Sequence, residues 1–304
     1  MKKISIATLS VLAAFTLAVA PALRADDDDD PNEKGSPKAH VHPVKGARPG
    51  GGGGSPLMTY HGGKIMTTSR TAAIFWGTSW SSSIFQGDKI AGLDSFYGAF
   101  GGSSYQNTNT EYTGLGFSVG TTSQYLGYAT DLSAGPTRAP KTSTILAEVC
   151  KVAGTLGPAV NADGNSYYAV YTDLPRGRAG YCAWHSSGTC NGTPVQFAFF
   201  FNLDGDAGCD PQDTTTGHSQ GLAALANVSG HELSEALTDP ASPGAWYDSS
   251  GAENADKCAW TFGAPSLDFG SGVNFKVQGN WSNAAYNANS GYTKGGCIDG
   301  HPSP

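Results

Sequence analysis

The chain has 304 residues, of which only 14% are charged, and its formal net charge is -7 at pH 7. This acidic balance argues against nucleic acid or an anionic membrane as a partner, because both would repel the protein. The six cysteines all lie between Cys150 and Cys297. An even number of cysteines in an exported chain predicts three disulfides, and no C-x-x-C pair indicates a cysteine zinc site.

The first residues carry the pattern of a secretory signal peptide. Lys2 and Lys3 precede an apolar run from Ile4 to Ala20, and small residues follow up to Ala25. A cationic start, a short apolar stretch and a small-residue end are typical of export signals. No later segment approaches the roughly 20 apolar residues of a membrane span. We therefore expect residues 1–25 to be removed and the protein to be extracellular or periplasmic.

Residues 26–56 contain little apolar material from which a core could form. The segment holds five consecutive aspartates and, from Gly50 to Gly54, five consecutive glycines. This composition predicts a disordered acidic and glycine-rich linker. His40 and His42 lie in it, and we expect both to be solvated. Residues 57–304 then form one domain of a size that a single core can fill.

Hydrophobic patterning within the domain predicts both strands and helices. Runs rich in aromatic and branched residues predict strands at 71–76, 167–172 and 195–203, and apolar residues at helical spacing predict helices at 90–100 and 145–152. The expected fold class is therefore α/β (α+β), a mixed sheet with packed helices that is stabilised by disulfides.

A third helix is predicted from about Thr215 to Asp239, where Pro240 ends it. The segment from Trp260 onward is rich in glycine and aromatic residues, which predicts short strands or irregular loops held by Cys297.

The third helix contains the most informative pattern in the chain, G-H-E-L-S-E-A-L-T-D-P, with His231, Glu232 and Glu235. Residues four apart in a helix are separated by about 400° of rotation, so His231 and Glu235 lie on one face, one turn apart. In the zinc-protease pattern H-E-x-x-H, the two histidines bind metal and the glutamate activates water. Here Glu235 stands in place of the second histidine.

A hydrolytic metal centre needs about three protein ligands and one open position for water. The helix offers His231 and Glu235, so a third ligand must come from another part of the chain. The acidic stretch from Trp246 to Cys258 follows closely and contains Glu253 and Asp256. Either carboxylate is a candidate for the third ligand or for a group that orients a ligand.

The motif and the following A-W-Y-D-S-S-G-A-E-N-A-D resemble the active-site helix and the acidic segment of thermolysin-like metallopeptidases. The resemblance implies that His231 is a zinc ligand and that Glu232 is the general base. It also implies that Glu253 or Asp256 is the third ligand or supports it, and that Tyr247 donates to the developing oxyanion.

One further histidine is a candidate for the site. His185 lies near Cys182 and Trp184, and it can serve as a transition-state donor or an extra ligand. The competing interpretation is a histidine held beside a disulfide by packing alone.

A second resemblance is spread over residues 57–300. Its elements are Tyr60–Gly63, Ala73–Gly77, Ser103–Tyr105, Asn109–Tyr112, Cys182–His185, Asp256–Cys258 and Cys297. Together they are similar to the phosphate-induced protein or Exordium family, whose plant members are apoplastic proteins tied to growth without an established enzyme activity. This resemblance implies an alternative to an enzyme, namely a non-catalytic extracellular binding or signalling protein with a cell-wall polymer as partner.

Glutamate in place of the second histidine changes the expected electrostatics. One histidine and two carboxylates cancel the charge of a zinc ion, so the ion polarises water and a carbonyl less strongly than in a two-histidine site. Oxygen ligands also admit other ions, calcium among them.

We predict a secreted metal-dependent peptidase or hydrolase, with zinc as the ion, calcium as the alternative, and a peptide or protein as substrate. The oligomeric state is left open.

Overall fold

We describe the protein from a computed structural model, which covers residues 31–32, 38–47, 55–156, 164–292 and 295–301. The predicted signal peptide and much of the predicted linker lie outside these described residues, so both stay predictions. No helix in the described ranges is long and apolar enough to cross a membrane.

A mixed six-stranded sheet is the framework of the fold. The strands in the described residues are β1 (His40–Pro43), β2 (Thr59–Tyr60), β3 (Ser69–Trp76), β4 (Thr113–Gly114), β5 (Phe117–Ser118), β6 (Ser123–Asp131), β7 (Ser166–Pro175), β8 (Tyr181–Cys190), β9 (Thr193–Asn202), β10 (Trp246–Tyr247), β11 (Leu267–Asp268), β12 (Asn274–Phe275), β13 (Asn280–Trp281) and β14 (Cys297–Ile298). The central sheet has the order β1-β8-β9-β7-β3-β6. Strands β9, β7, β3 and β6 are parallel to one another. At one end of the sheet, β8 pairs antiparallel with β9, and β1 pairs antiparallel with β8.

The parallel part of the sheet contains the core. Residues Phe197–Phe201 of β9 are at most 1% exposed, as expected for a strand covered on both faces. Next to it, the rings of Tyr171 on β7 and Phe200 on β9 stack with their centroids 4.6 Å apart. The three strands predicted from the sequence are confirmed as β3, β7 and β9.

Helices pack against this sheet, which confirms the expected α/β class. They are α1 (Ser83–Gln86), α2 (Lys89–Phe100), α3 (Ser104–Asn107), α4 (Thr142–Ala153), α5 (Gln220–Thr238) and α6 (Asn283–Asn287). The predicted helices correspond to α2, α4 and α5. Helix α5 begins at Gln220 rather than near Thr215, because the Asp213 carboxylate accepts hydrogen bonds from the backbone amides of Thr215 and Thr216 and holds a turn there.

All six cysteines form disulfides, as the sequence predicts. The pairs are Cys150–Cys190, Cys182–Cys209 and Cys258–Cys297. The last pair joins the end of the acidic segment to β14, so it ties the short C-terminal ribbons to that segment. These ribbons and loops agree with the short strands expected after Trp260.

Strand β1 lies within the segment that the sequence predicts to be disordered. It pairs antiparallel with β8, with His40 opposite His185 and His42 opposite Ala183. The expectation that both histidines are solvated is wrong, because His42 is 0% exposed and the side chain of His40 is only 30% exposed. Residues two apart in a strand share one face, and here that face looks toward α5. Local composition could not reveal this strand, because its partner lies far away in the sequence.

Candidate metal centre

Helix α5 carries the motif into the interior of the protein. The Ser219 hydroxyl caps the start of the helix by accepting from the backbone amide of Leu222, and Asp239 closes its last turn ahead of Pro240. Every residue of the helix after Gln220 is buried. His231 and Glu235 therefore meet their partners away from bulk water, where charges interact strongly and unpaired ones are costly.

The first group of candidate ligands comprises His231, Glu235 and Asp256, which we call the helix cluster. Glu235 Oε1 lies 3.1 Å from His231 Nε2, and Asp256 Oδ1 lies 3.7 Å from the same nitrogen. About 3.3 Å separates two ligand atoms that each lie about 2.0–2.1 Å from a tetrahedral zinc ion, so the spacing suits a shared ion. Asp256, and not Glu253, is the acidic residue that joins the predicted pair.

The second group comprises His40, His185 and Glu253, which we call the strand cluster. His185 Nε2 lies 2.9 Å from Glu253 Oε2, and His40 Nδ1 lies 3.2 Å from the same oxygen. Glu235 links the two groups, since its Oε2 lies 3.4 Å from His185 Nε2. The sequence places His185 and Glu253 in the site, and the structure brings them together in this second group.

Glu232 lies between the two clusters. Its carboxylate can join His185 and Glu235 around one ion, or His42 and His231 around another. It is 0% exposed, and neither of its oxygens has a hydrogen-bond partner among the described residues. Burial and the neighbouring Glu235 raise the pKa of Glu232 well above its usual value. A carboxylate in this setting is a strong proton acceptor once it is ionised.

Acidic groups crowd this interior. Burial, followed by Glu235 and Glu253, raises the pKa of Asp256 well above the ordinary value of an aspartate. Glu253 behaves in the opposite way, because the nearby His40 and His185 outweigh its burial and hold its pKa well below the usual range. Burial alone would lower the pKa of His185, but Glu253 and Glu235 raise it well above 6.5. Carboxylates that repel one another in this way need protons or a cation.

His42 covers the helix cluster from the side of β1. Its ring lies parallel to that of His231, with centroids 3.8 Å apart and planes 5° from each other. Burial and the neighbouring His231 lower the pKa of His42 well below 6.5, so it is neutral at physiological pH. Neither of its ring nitrogens has a hydrogen-bond partner in the described ranges.

Gln278 sets the proton position of His231. Its side-chain oxygen accepts from the backbone amide of Trp260 at 3.1 Å, and its amide nitrogen donates to the carbonyl of Ala255 at 3.0 Å and to His231 Nδ1 at 2.8 Å. These contacts fix the amide orientation, so Nδ1 is an acceptor and the proton of neutral His231 is on Nε2. An ion at Nε2 would have to replace that proton, and Gln278 would have to turn its oxygen toward Nδ1.

A cavity of about 440 Å³ reaches this interior from outside, and His40, His185, Asp239 and Tyr247 are among the residues that line it. Tyr247 stacks on His61 with ring centroids 3.6 Å apart. Asp239 Oδ1 accepts from the amide of Ala245 at 2.6 Å, and burial and Glu253 raise the pKa of Asp239 to about 8. Tyr247 therefore lines the approach to the strand cluster.

Sequence reasoning missed three members of this site, His40, His42 and Gln278. The two histidines carry a weak signal, since H-x-H in an extended segment places both rings on one face. Gln278 carries none, because a single glutamine in a loop becomes informative only when its partners are known.

Comparisons with known proteins add no assignment. No family model, no curated protein and no solved structure matches this chain significantly. The geometry of the buried histidines and carboxylates is therefore the feature that indicates a function.

Proposed function

We propose that this protein is a secreted metal-dependent peptidase or hydrolase, with His231, Glu235 and Asp256 as ligands of a divalent ion, zinc above calcium. The convergence of these three residues on one point carries the proposal. Each comes from a different turn of α5 or from the segment after it, and their ligand atoms face one another in the interior. A nitrogen and two carboxylate oxygens are a donor set that zinc accepts.

The residues fit such an ion by a second criterion, the polar atoms that lack partners. Among the described residues, His231 Nε2 has no hydrogen-bond partner although it is buried. Buried polar atoms are paired in the great majority of cases, and exceptions often mark ligand sites. A divalent cation would lower the pKa of a water molecule and polarise a substrate carbonyl.

The remaining residues have roles that follow from their positions. Glu232 accepts a proton from water, because its unpaired carboxylate lies beside the proposed ligands. His185 holds a positive charge next to Glu253 and can donate to the oxygen of a reacting carbonyl. Tyr247 lines the cavity and meets a substrate that enters through it. A peptide or protein fits this arrangement, and a cell-wall polymer is the other substrate class that we propose.

We also propose that residues 57–300 are related to the Exordium family. This proposal rests on the short elements that resemble the family, and it would make the buried metal site a feature of bacterial-type members rather than of the plant proteins.

The test combines ion content with one conservative substitution. We expect the purified protein to hold a stoichiometric divalent metal and to cleave casein or a peptide library, and Glu232→Gln to lower kcat/KM by about 10²- to 10⁴-fold with the ion retained. Glu148→Gln is the matched control, because Glu148 lies on α4 outside the site. Protein without metal, or equal activity in Glu232→Gln and the control, would refute the proposal.

One observation favours a second candidate, a non-catalytic extracellular binding protein. Gln278 donates to His231 Nδ1, so the proton of the imidazole is on Nε2, the atom that would have to bind the ion, and this is the arrangement of a structural residue rather than of a ligand. In that case the histidines and carboxylates stabilise the contact of α5 with its neighbours. This candidate predicts a folded protein of unchanged thermal stability after chelation.

A further inference from the structure

Strand β1 is the most unusual part of the site, because it belongs to the N-terminal segment and yet contributes two histidines to the centre. His40 contacts Glu253 in the strand cluster, and His42 stacks on His231 in the helix cluster. Between them, Val41 points outward and is 38% exposed. The strand thus presents its two histidines to the ligands and Val41 to solvent.

We propose that the outer edge of β8 is a docking edge for an extended polypeptide, and that β1 is its built-in occupant, which a substrate must displace. The inference rests on the proposed function, since it names the position that a peptide substrate takes. An edge strand offers a row of backbone donors and acceptors, and an added strand satisfies them with affinity from the main chain.

The contacts of β1 are those of an added strand. It pairs with β8 in antiparallel register from His40 opposite His185 to Pro43 opposite Tyr181, with one irregularity between His42 and Pro43. Proline has no amide hydrogen to donate to the ladder, and after it the backbone amides of Val44 and Lys45 donate to the carbonyls of Gly180 at 3.1 Å and Gly208 at 2.8 Å. Outside the ladder, Trp260 Nε1 donates to the carbonyl of Pro43 at 2.9 Å.

The position of β1 narrows the access of an outside molecule to the centre. His42 is fully buried against His231, and His40 lines the cavity that leads to His185. A substrate carbonyl that approached Glu232 along the docking edge would occupy the volume of these two rings. His40 also occupies the position of the third ligand for an ion in the strand cluster, beside His185 and Glu253. Displacement of β1 would therefore open the centre and free that coordination position at the same time.

The first experiment uses the full chain with a site-specific protease sequence in place of Gly50–Gly54, so that β1 can be cut from the domain. A labelled synthetic peptide of residues 38–47 is then added to the cut protein after the original fragment has been washed out. We expect saturable binding by fluorescence anisotropy. Peptides with His40→Ala or His42→Ala should bind at least tenfold more weakly, whereas a Val41→Ala peptide should bind equally well. Equal loss for all three peptides would overturn the inference.

The second measurement covers the outcome in which the cut protein does not remain folded. Hydrogen exchange of the uncut chain should show the β1 amides exchanging at least tenfold faster than those shared by β8 and β9. Equal protection would mean that β1 is an integral strand, and the inference would fail.

Activity and ion content separate this inference from the proposed function. If the peptide binds to the docking edge of a protein that holds no metal and cleaves nothing, the docking edge is supported and the peptidase function is refuted. If metal-dependent cleavage is the same before and after release of β1, the peptidase function is supported and the docking edge is refuted. If both are right, release should raise kcat/KM by tenfold or more.

Discussion

Glu235 Oε1 lies 3.1 Å from His231 Nε2, yet the two atoms do not form a hydrogen bond, since His231 Nε2 has no such partner in the described ranges. The oxygen instead accepts from the backbone amide of Asp256 at 2.9 Å. A nitrogen and an oxygen that face each other at this separation without a hydrogen bond have the spacing of two ligand atoms around one ion. The same spacing in a metal-free network would leave a buried N–H unpaired, which costs about 1–3 kcal/mol.

The choice between Asp256 and Glu253 can be tested by ion affinity. We expect Asp256→Asn to weaken zinc binding by about a hundredfold, because Asp256 completes the helix cluster, and Glu253→Gln to weaken it by about tenfold or less, as for a supporting group. Competition against a chelating dye measures both. The reverse order would place the ion in the strand cluster, with His185 as its main nitrogen ligand.

Removal of the ion should lower thermal stability. Glu232, Glu235 and Asp256 repel one another in the interior, and an ion present at 100- to 1,000-fold above its Kd adds about 3–4 kcal/mol to the free energy of unfolding. For a domain of this size, we expect a chelator to lower Tm by about 6–15 °C. Scanning calorimetry with and without chelator checks this, and His231→Ala should show no chelator effect. A Tm that does not respond to chelation in the unsubstituted protein would favour the non-catalytic binding protein.

Gln278 distinguishes the metal site from the hydrogen-bond network. A carboxylate at this position accepts a hydrogen bond from the Nδ1–H group of His231 and leaves Nε2 free as a ligand, so Gln278→Glu should tighten zinc binding by about tenfold. Without zinc the same variant should lower Tm, because the new carboxylate faces the carbonyl of Ala255. Gln124→Glu, on the exposed side of β6, controls for the added charge. A purely structural His231 predicts the loss of Tm with no change in zinc affinity.

A pH effect on stability is expected far from the site, at Glu148 on α4. Burial, followed by Asp131, raises the pKa of Glu148 from 4.5 to about 7, and Lys151 only partly offsets this. Between these two pH values the folded state holds a proton that the unfolded state has lost, so stability from this group falls as pH rises. The loss should be on the order of 1–2 kcal/mol above pH 7, since the partner Lys151 is half exposed.

Glu148→Gln should remove that part of the pH dependence. Glutamine keeps an uncharged group beside Asp131, so the denaturant midpoint of the variant should fall less between pH 5 and 7.5 than that of the unsubstituted protein. Parallel slopes for the two proteins would contradict the assignment.

Much of the fold could be predicted from the sequence because its signals are local. The apolar runs of β3, β7 and β9 and the helical spacing in α2 and α4 are visible in any window of ten residues. Helix α5 was predicted with its correct end, since proline imposes it, but with an early start. That start depends on side-chain hydrogen bonds in the turn at Asp213, which residue spacing does not encode.

The candidate site was likewise predictable from the sequence only where its residues are close together in the chain. The sequence by itself determined that His231 and Glu235 lie one turn apart with Glu232 beside them, because helix geometry fixes the distances between neighbours. Only the tertiary structure decided that Asp256 joins the first two and that Glu253 turns to His185. It also decided that a strand from the predicted linker brings His40 and His42 into the interior. Contacts between distant segments depend on how sheet and helix pack, and the short H-x-H pattern of β1 does not say which strand it pairs with.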